Sequence, residues 1–283
     1  MITKMTVTVL VNNFVSKSGL KGEHGLSLLL NIEENGIKNS ILWDTGQTQE
    51  TLLSNMEALN LKIDDVSTVV FSHGHYDHTG GLAGLLKLAS RPIKVLASGY
   101  TWGNRFKNGA ALKQIGSGLT REIILDLGGV VFEVNQPHHI TDQLILTGPI
   151  ERTEPCETND VFVRSSGPSI VIDDFEDELA LIVNTVSDGL FIITGCCHAG
   201  IINTIKYSRK ITGIHNVKGV IGGLHLIDAN IFRMETTRTF LRTLSCDVIA
   251  PLHCSGLSET CYLRRELGDS VKFPGVGETV QII

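Results

Sequence analysis

The sequence predicts an α/β protein with a mixed sheet, or two sheets, and helices on the outside. Short β-branched runs bounded by Gly, Asn or Asp recur along the whole chain. Two pairs of runs are joined by Glu34-Asn35-Gly36 and by Ser187-Asp188-Gly189, whose Asn-Gly and Asp-Gly steps tolerate the positive φ of a hairpin turn. Stretches with one apolar helical face separate the other runs, giving strand–helix–strand units.

In order, the strand-like runs are Thr6–Val11, Ser27–Ile32, Ser40–Trp43, Val66–Ser72, Ile93–Ala97, Val130–Val134 and Leu144–Leu146, followed by Leu179–Asn184, Leu190–Thr194, Val217–Gly222 and Asp247–Pro251. Thr79–Ala89 carries Leu82, Leu85, Leu86 and Leu88 on roughly one helical face, and Gly200–Ile211 carries Ile201, Ile202 and Ile205. Met234–Leu244 and Ser258–Leu267 are two further helical segments, the second with Ser258 as a candidate N-cap. The part from about 100 to 178 is the least periodic and reads as an irregular insertion in a single domain spanning 1–283. There is no short-period repeat and no Pro-rich or Ser-rich linker.

Composition narrows the function. Hydrophobic residues are 42% and charged residues 19%, which is globular and not disordered. The net charge of −6 weighs against a general nucleic-acid binder. No stretch is long and apolar enough to span a bilayer, and the N-terminus reads as a strand and not as a signal peptide, so a cytoplasmic protein is expected. The six cysteines contain no C-x-x-C pair and are expected to be free thiols. The sequence admits a homo-oligomer.

The chemistry is concentrated in one place. The apolar run Val66–Ser72 leads directly into His73-Gly74-His75-Tyr76-Asp77-His78. His73 and His75 are two residues apart, so on an extended backbone both rings point to one side, and Asp77 and His78 can reach a second position beyond them. Imidazole nitrogen and carboxylate oxygen are ligands for Zn²⁺, Mn²⁺ and Fe. The end of a strand before a helix is where α/β proteins place their sites.

This motif, preceded by Leu42-Trp43-Asp44-Thr45-Gly46, resembles the metallo-β-lactamase superfamily over nearly the whole chain. The resemblance implies an αββα sandwich of two mixed β-sheets flanked by helices, with one or two metals along one edge. A narrower resemblance lies in His24-Gly25-Leu26-Ser27, Gly195-Cys196-Cys197-His198-Ala199-Gly200, Gly222-Gly223-Leu224-His225 and Leu252-His253-Cys254. It is to the subfamily of 7,8-dihydropterin-6-methyl-4-(β-D-ribofuranosyl)-aminobenzene-5′-phosphate synthases, which join an activated pterin to an aromatic amine carrying a ribose phosphate.

Carried over by position, the superfamily makes His73 and His75 ligands of a first metal, and Asp77, His78 and His253 ligands of a second. The usual mid-chain histidine turn is missing, so the third ligand of the first metal is either His198 or one of His138 and His139; the stiff connection from strand to helix favours His198. Cys196 stands where the superfamily has a bridging Asp and is a candidate ligand through its thiolate. Cys197 reads as a packing residue and His215 as structural. Asp44 is expected to orient a metal-bound imidazole. His225 and His24 are candidates for contacting substrate.

The expected cofactor is Zn²⁺, one or two ions, with Mn²⁺ or Fe as alternatives. The expected partner is a small-molecule substrate, with no nucleic acid and no membrane. The function that follows is a metal-dependent hydrolase or transferase on a small phosphorylated or pterin-like substrate, with Asp77 orienting or deprotonating the nucleophile. Two other classes stay open: a di-iron oxidoreductase component and a metal-binding sensor with a remodelled site. The chain has no dinucleotide fingerprint, P-loop or serine-nucleophile motif, which argues against NAD, ATP or serine chemistry.

Overall fold

The computed structural model describes residues 1–158, 161–185 and 189–283. The chain opens with β1 (Ile2–Val11), β2 (Ser27–Glu34) and β3 (Ile37–Trp43), then α1 (Gln49–Ala58) and β4 (Val66–Val70). Two short helices, α2 (Tyr76–Thr79) and α3 (Leu82–Leu88), lead to β5 (Lys94–Ala97), β6 (Arg105–Lys107), β7 (Lys113–Gln114) and α4 (Arg121–Asp126). Next come β8 (Val130–Glu133), β9 (His138–His139), β10 (Leu144–Leu146), β11 (Phe162–Ser166), β12 (Ser169–Ile172), β13 (Leu181–Asn184) and β14 (Leu190–Ile193). The chain closes with α5 (Ile201–Thr212), β15 (Val217–Gly223), α6 (Ile231–Leu244), β16 (Val248–Leu252), α7 (Leu257–Leu267) and β17 (Thr279–Gln281).

The first sheet has the order β17-β1-β2-β3-β4-β5-β8 and the second β16-β15-β14-β13-β10-β9. Both are mixed, with antiparallel strands (β1-β2-β3 and β10-β13-β14) continuing into parallel strands (β3-β4-β5-β8 and β14-β15-β16). Alternation along the strands decides which layer each side chain joins. In β4, Val70 faces the inter-sheet core with Met5, Leu30, Trp43, Leu181 and Ile193, while Val69 packs under Leu52, Leu82 and Leu85 of the helices. On the other side, α5, α6 and α7 bury Ile205, Leu241 and Leu263 on the second sheet. Each fully buried Leu or Ile contributes about 1.5–3 kcal/mol, so both sheets are held from both faces. The result is the αββα sandwich.

Several local expectations change. The 100–178 stretch does not stand wholly apart: it supplies β8 to the first sheet and β9 and β10 to the second, and forms a separate sheet, β12-β11-β6-β7, with Phe162 packed at the site. The expected helix Thr79–Ala89 is broken at Gly80-Gly81, where a Cβ would lie 1.9 Å from the Gln47 carbonyl and 2.2 Å from that of Thr45. Ser258 is not an N-cap; α7 follows Gly256 at φ +80°, and Ser258 Oγ donates to Glu259. Helix α1, capped by the Thr48 hydroxyl on the Thr51 N–H, was not foreseen, nor was α4. The turn Ser187-Asp188 lies outside the described residues, but β13 and β14 on either side of it pair antiparallel. No helix among the described residues is long and apolar enough to cross a membrane.

Candidate metal centre

The site residues stand at the carboxyl ends of β3, β4, β14, β15 and β16. β4 ends at Val70, the chain bends through Ser72–Gly74, and an extended His75 occupies the N-cap position of α2, which carries Asp77 and His78 on its single turn. Glycine lets these ends meet. A Cβ on Gly74 would lie 2.1 Å from the Thr101 carbonyl, and one on Gly195 would lie 1.9 Å from Ser72 Oγ. Asp44, Cys197, His225 and His253 all have φ between +46° and +63°, unusual for residues with a side chain and typical of functional sites.

His73, His75 and His198 converge, with ring centroids 4.5, 4.9 and 5.0 Å apart and ligand nitrogens within 4.8 Å of one another. His138 and His139 are elsewhere, exposed on edge strand β9, so the structure brings together His198 and not that pair. Phe175 stacks on His198 at 3.9 Å and 10°, and Phe162 meets it edge-on. The buried Nε2 atoms of His73 and His75 have no hydrogen-bond partner among the described residues. Burial holds the His73 pKa well below the usual histidine value and takes that of His75 down to about 3, so both rings are neutral and offer a lone pair. Buried polar nitrogens are rarely left unpaired, and a cation among them resolves the deficit.

A buried Asp44 organises the imidazoles from behind. Its Oδ1 accepts the Ser72 N–H and its Oδ2 accepts the Ser72 hydroxyl, both at 2.7 Å. The same Oδ2 accepts His78 Nδ1–H at 2.7 Å, while His73 Nδ1–H donates to Ser72 Oγ at 2.9 Å. Asp44 therefore orients His78 directly and His73 through one hydroxyl. Burial pushes the His78 pKa down, but the charges of Asp44 and Asp77 outweigh it and raise it to about 9. His78 Nε2 lies 3.1 Å from Cys196 Sγ and 4.0 Å from Asp77 Oδ2.

A second donor group is formed by His24, Asp77 and His253. Asn13 sets both imidazoles: its Oδ1 accepts His253 Nδ1–H at 2.8 Å, and its Nδ2 donates to His24 Nδ1 at 3.4 Å. His24 then donates Nε2–H to Asp77 Oδ2 at 3.1 Å, which raises the His24 pKa. His253 presents its Nε2 to the same carboxylate oxygen at 3.2 Å, two acceptors facing each other in the way a bound cation would reconcile. His24 thus joins this group, while His225 lies against the His198 ring at 4.3 Å.

Other residues were not singled out from the sequence. Glu178 accepts the N–H groups of His198 and Ala199 at 2.6 and 2.5 Å, and Arg152 donates to the His198 carbonyl at 2.5 Å. Asp177 accepts the Gly74 N–H at 2.7 Å and pairs with buried Arg105. Burial pushes the carboxyls of Asp177 and Glu178 up to about 6 and 7. The available signal was the run Asp173–Glu178, acidic residues abutting the apolar strand Leu179–Asn184.

The profile of the metallo-β-lactamase superfamily matches residues 24–148, covering the His-x-His-x-Asp-His motif. The chain is 36% identical over 241 residues, 83% of its length and 81% of the relative's, to the 7,8-dihydropterin-6-methyl-4-(β-D-ribofuranosyl)-aminobenzene-5′-phosphate synthase of Methanocaldococcus jannaschii. Among solved structures, Tm1679, described as a metal-dependent hydrolase of the β-lactamase superfamily, superposes with a TM-score of 0.82 at 25% identity over 98% of this chain and 99% of that one. A diphosphatase of the PhnP family shares the fold, with a TM-score of 0.56 at 12% identity over 100% and 98% of the two chains. The chain belongs to the metallo-β-lactamase superfamily. Fold, family and candidate donor set together support a metal-dependent enzyme, and within the superfamily its sequence likeness extends to that synthase.

Proposed function

We propose that this chain is a metal-dependent transferase that joins an activated dihydropterin to an arylamine bearing a ribose phosphate. The observation that carries this reading is the pairing of the buried His73–His75–His198 cluster with the His24–Asp77–His253 group at one sheet edge, in a chain 36% identical to a synthase of that product. His73, His75 and His198 would hold one divalent ion, and Asp77, His78 and His253, with Cys196, a second. Bound there, the metal would supply Lewis-acid stabilisation of phosphate oxygens.

The chain's own residues do the rest. The arylamine nitrogen donates its lone pair to the methylene carbon on the pterin, and the carbon–oxygen bond to a leaving diphosphate breaks, with its electron pair going to the diphosphate. The nitrogen gives up one proton to Asp77, which passes it to water at the mouth, where the half-exposed His24 stands. Asn13 and Asp44 fix the imidazole orientations, while Phe162 and Phe175 close the inner wall against water.

The test is to load the purified chain with Zn²⁺ or Mn²⁺ and supply a dihydropterin-6-methyl diphosphate with the ribofuranosyl-aminobenzene phosphate. Stoichiometric diphosphate release that depends on the amine supports the reading. Amine-independent hydrolysis, or turnover confined to simple phosphodiesters and esters, contradicts it and leaves a metal-dependent hydrolase.

A further inference from the structure

Strands β14, β15 and β16 lie side by side, and just past their ends they present Cys196, His225 and Cys254. The ligand atoms of all three lie within 4.8 Å of one another. The space for this comes from Gly223 at the end of the middle strand, where a Cβ would sit 2.6 Å from Cys254 Sγ and 3.1 Å from Cys196 Cα. Any residue with a side chain at 223 would separate the thiols. Cys254 Sγ donates to the Cys196 carbonyl at 3.3 Å, and His225, held at φ +46°, has a buried Nδ1 with no partner among the described residues. Cys197, next in the chain to Cys196, faces the other way: its Sγ meets Thr204 Oγ1 at 3.4 Å under α5, which is a packing role.

Ordinary packing explains Cys197 but not two thiols and an imidazole drawn together over a glycine. Two thiolates and one nitrogen form a soft donor set, favoured by Zn²⁺, Cd²⁺ and Cu⁺ over hard cations. Around one Zn²⁺ such donors lie about 3.3–3.8 Å apart, so closing from a spacing within 4.8 Å takes about 1.5 Å at most. Binding displaces the two thiol protons, and the two thiolate charges neutralise the divalent ion. We infer that Cys196, His225 and Cys254 form a further, thiophilic metal site beside the imidazole–carboxylate centre, with Cys196 shared between it and His78. This inference does not depend on the reaction proposed above.

The experiment is a Co²⁺ titration of the metal-stripped full chain, followed by the sulfur-to-cobalt charge-transfer absorption, with Cd²⁺ equilibrium dialysis for stoichiometry. The wild type should show the band and bind about one Cd²⁺ more than Cys254→Ser. Cys254→Ser and Cys196→Ser should each lose most of the band, His225→Ala should weaken the affinity behind it at least tenfold, and Cys197→Ser should keep it. Circular dichroism of each variant separates loss of the site from loss of the fold, and His225→Ala, which leaves both thiols in place, gives an independent reading. A wild type without the band, or a band lost in Cys196→Ser but unchanged in Cys254→Ser and His225→Ala, would overturn the site and leave Cys196 as a ligand of the imidazole centre alone.

Discussion

Asp44 and His78 meet at 2.7 Å with both side chains fully buried, and the same carboxylate oxygen also takes the hydroxyl proton of Ser72, which holds His73. One carboxylate thus fixes two imidazoles. Asp44→Asn keeps the shape but removes an acceptor and the charge. It is expected to weaken metal binding by about 10- to 100-fold, measured by chelator competition. Equal affinity would show that the buried contacts alone orient the rings.

His198 is placed with His73 and His75 by the stiff Gly195–Gly200 connection, by Phe175 stacked on its ring and by Glu178 holding its backbone. His198→Ala should therefore lose bound metal in elemental analysis, and His138→Ala/His139→Ala should retain it. The opposite result would move the third ligand to the edge strand.

Asn13 touches both His253 and His24. Asn13→Ala frees both rings and is expected to lower affinity at one metal by about tenfold, less than His253→Ala, which removes a donor outright. Isothermal titration of the two variants gives the order; a larger effect from Asn13 would mean that His253 does not coordinate.

Acid should destabilise the metal-stripped protein through His73 and His75. Their folded pKa values lie below the unfolded value, near 3 for His75, so between about pH 6.5 and 3 the unfolded state binds more protons. Their contribution is complete above about pH 6.5 and is lost as pH falls, by about 2 kcal/mol for His75 at pH 5. Asp177 and Glu178, raised by burial, run the other way, their stabilisation fading as pH rises towards 6 and 7. Urea melts at pH 7.5 and 5 of the wild type and of His73→Asn/His75→Asn isolate the histidines: the variant should lose less on acidification. Equal losses would contradict neutral buried rings.

The frame was legible because it rests on local rules. Short β-branched runs bounded by Gly, Asn or Asp marked β1 to β4 and β13 to β16, and Asn35-Gly36 marked a hairpin. The motif at His73–His78 was legible because three imidazoles and a carboxylate crowd six consecutive positions between a strand and a helix, although the backbone bends at Ser72–Gly74 where an extended segment was expected. The rest depends on contacts between distant segments. Gly80-Gly81 breaks a good helical pattern because the backbone of Thr45 and Gln47 crosses there, which no local window contains. Asn13 and His253 are 240 positions apart, and Glu178 reads as a surface acid until the turn at His198 closes over it. Short strands such as β6 and β7 exist only because β6 pairs with β11 and β7 with β6, and they lack a period of their own.

The central claim is that His73 and His75 hold a metal ion. Elemental analysis of the purified wild type beside His73→Ala/His75→Ala, with circular dichroism to confirm that both are folded, tests it most directly. The structure predicts at least one equivalent of a transition metal in the wild type and near-complete loss of at least one equivalent in the double variant, with the fold intact. A folded double variant retaining the wild-type metal content would contradict it.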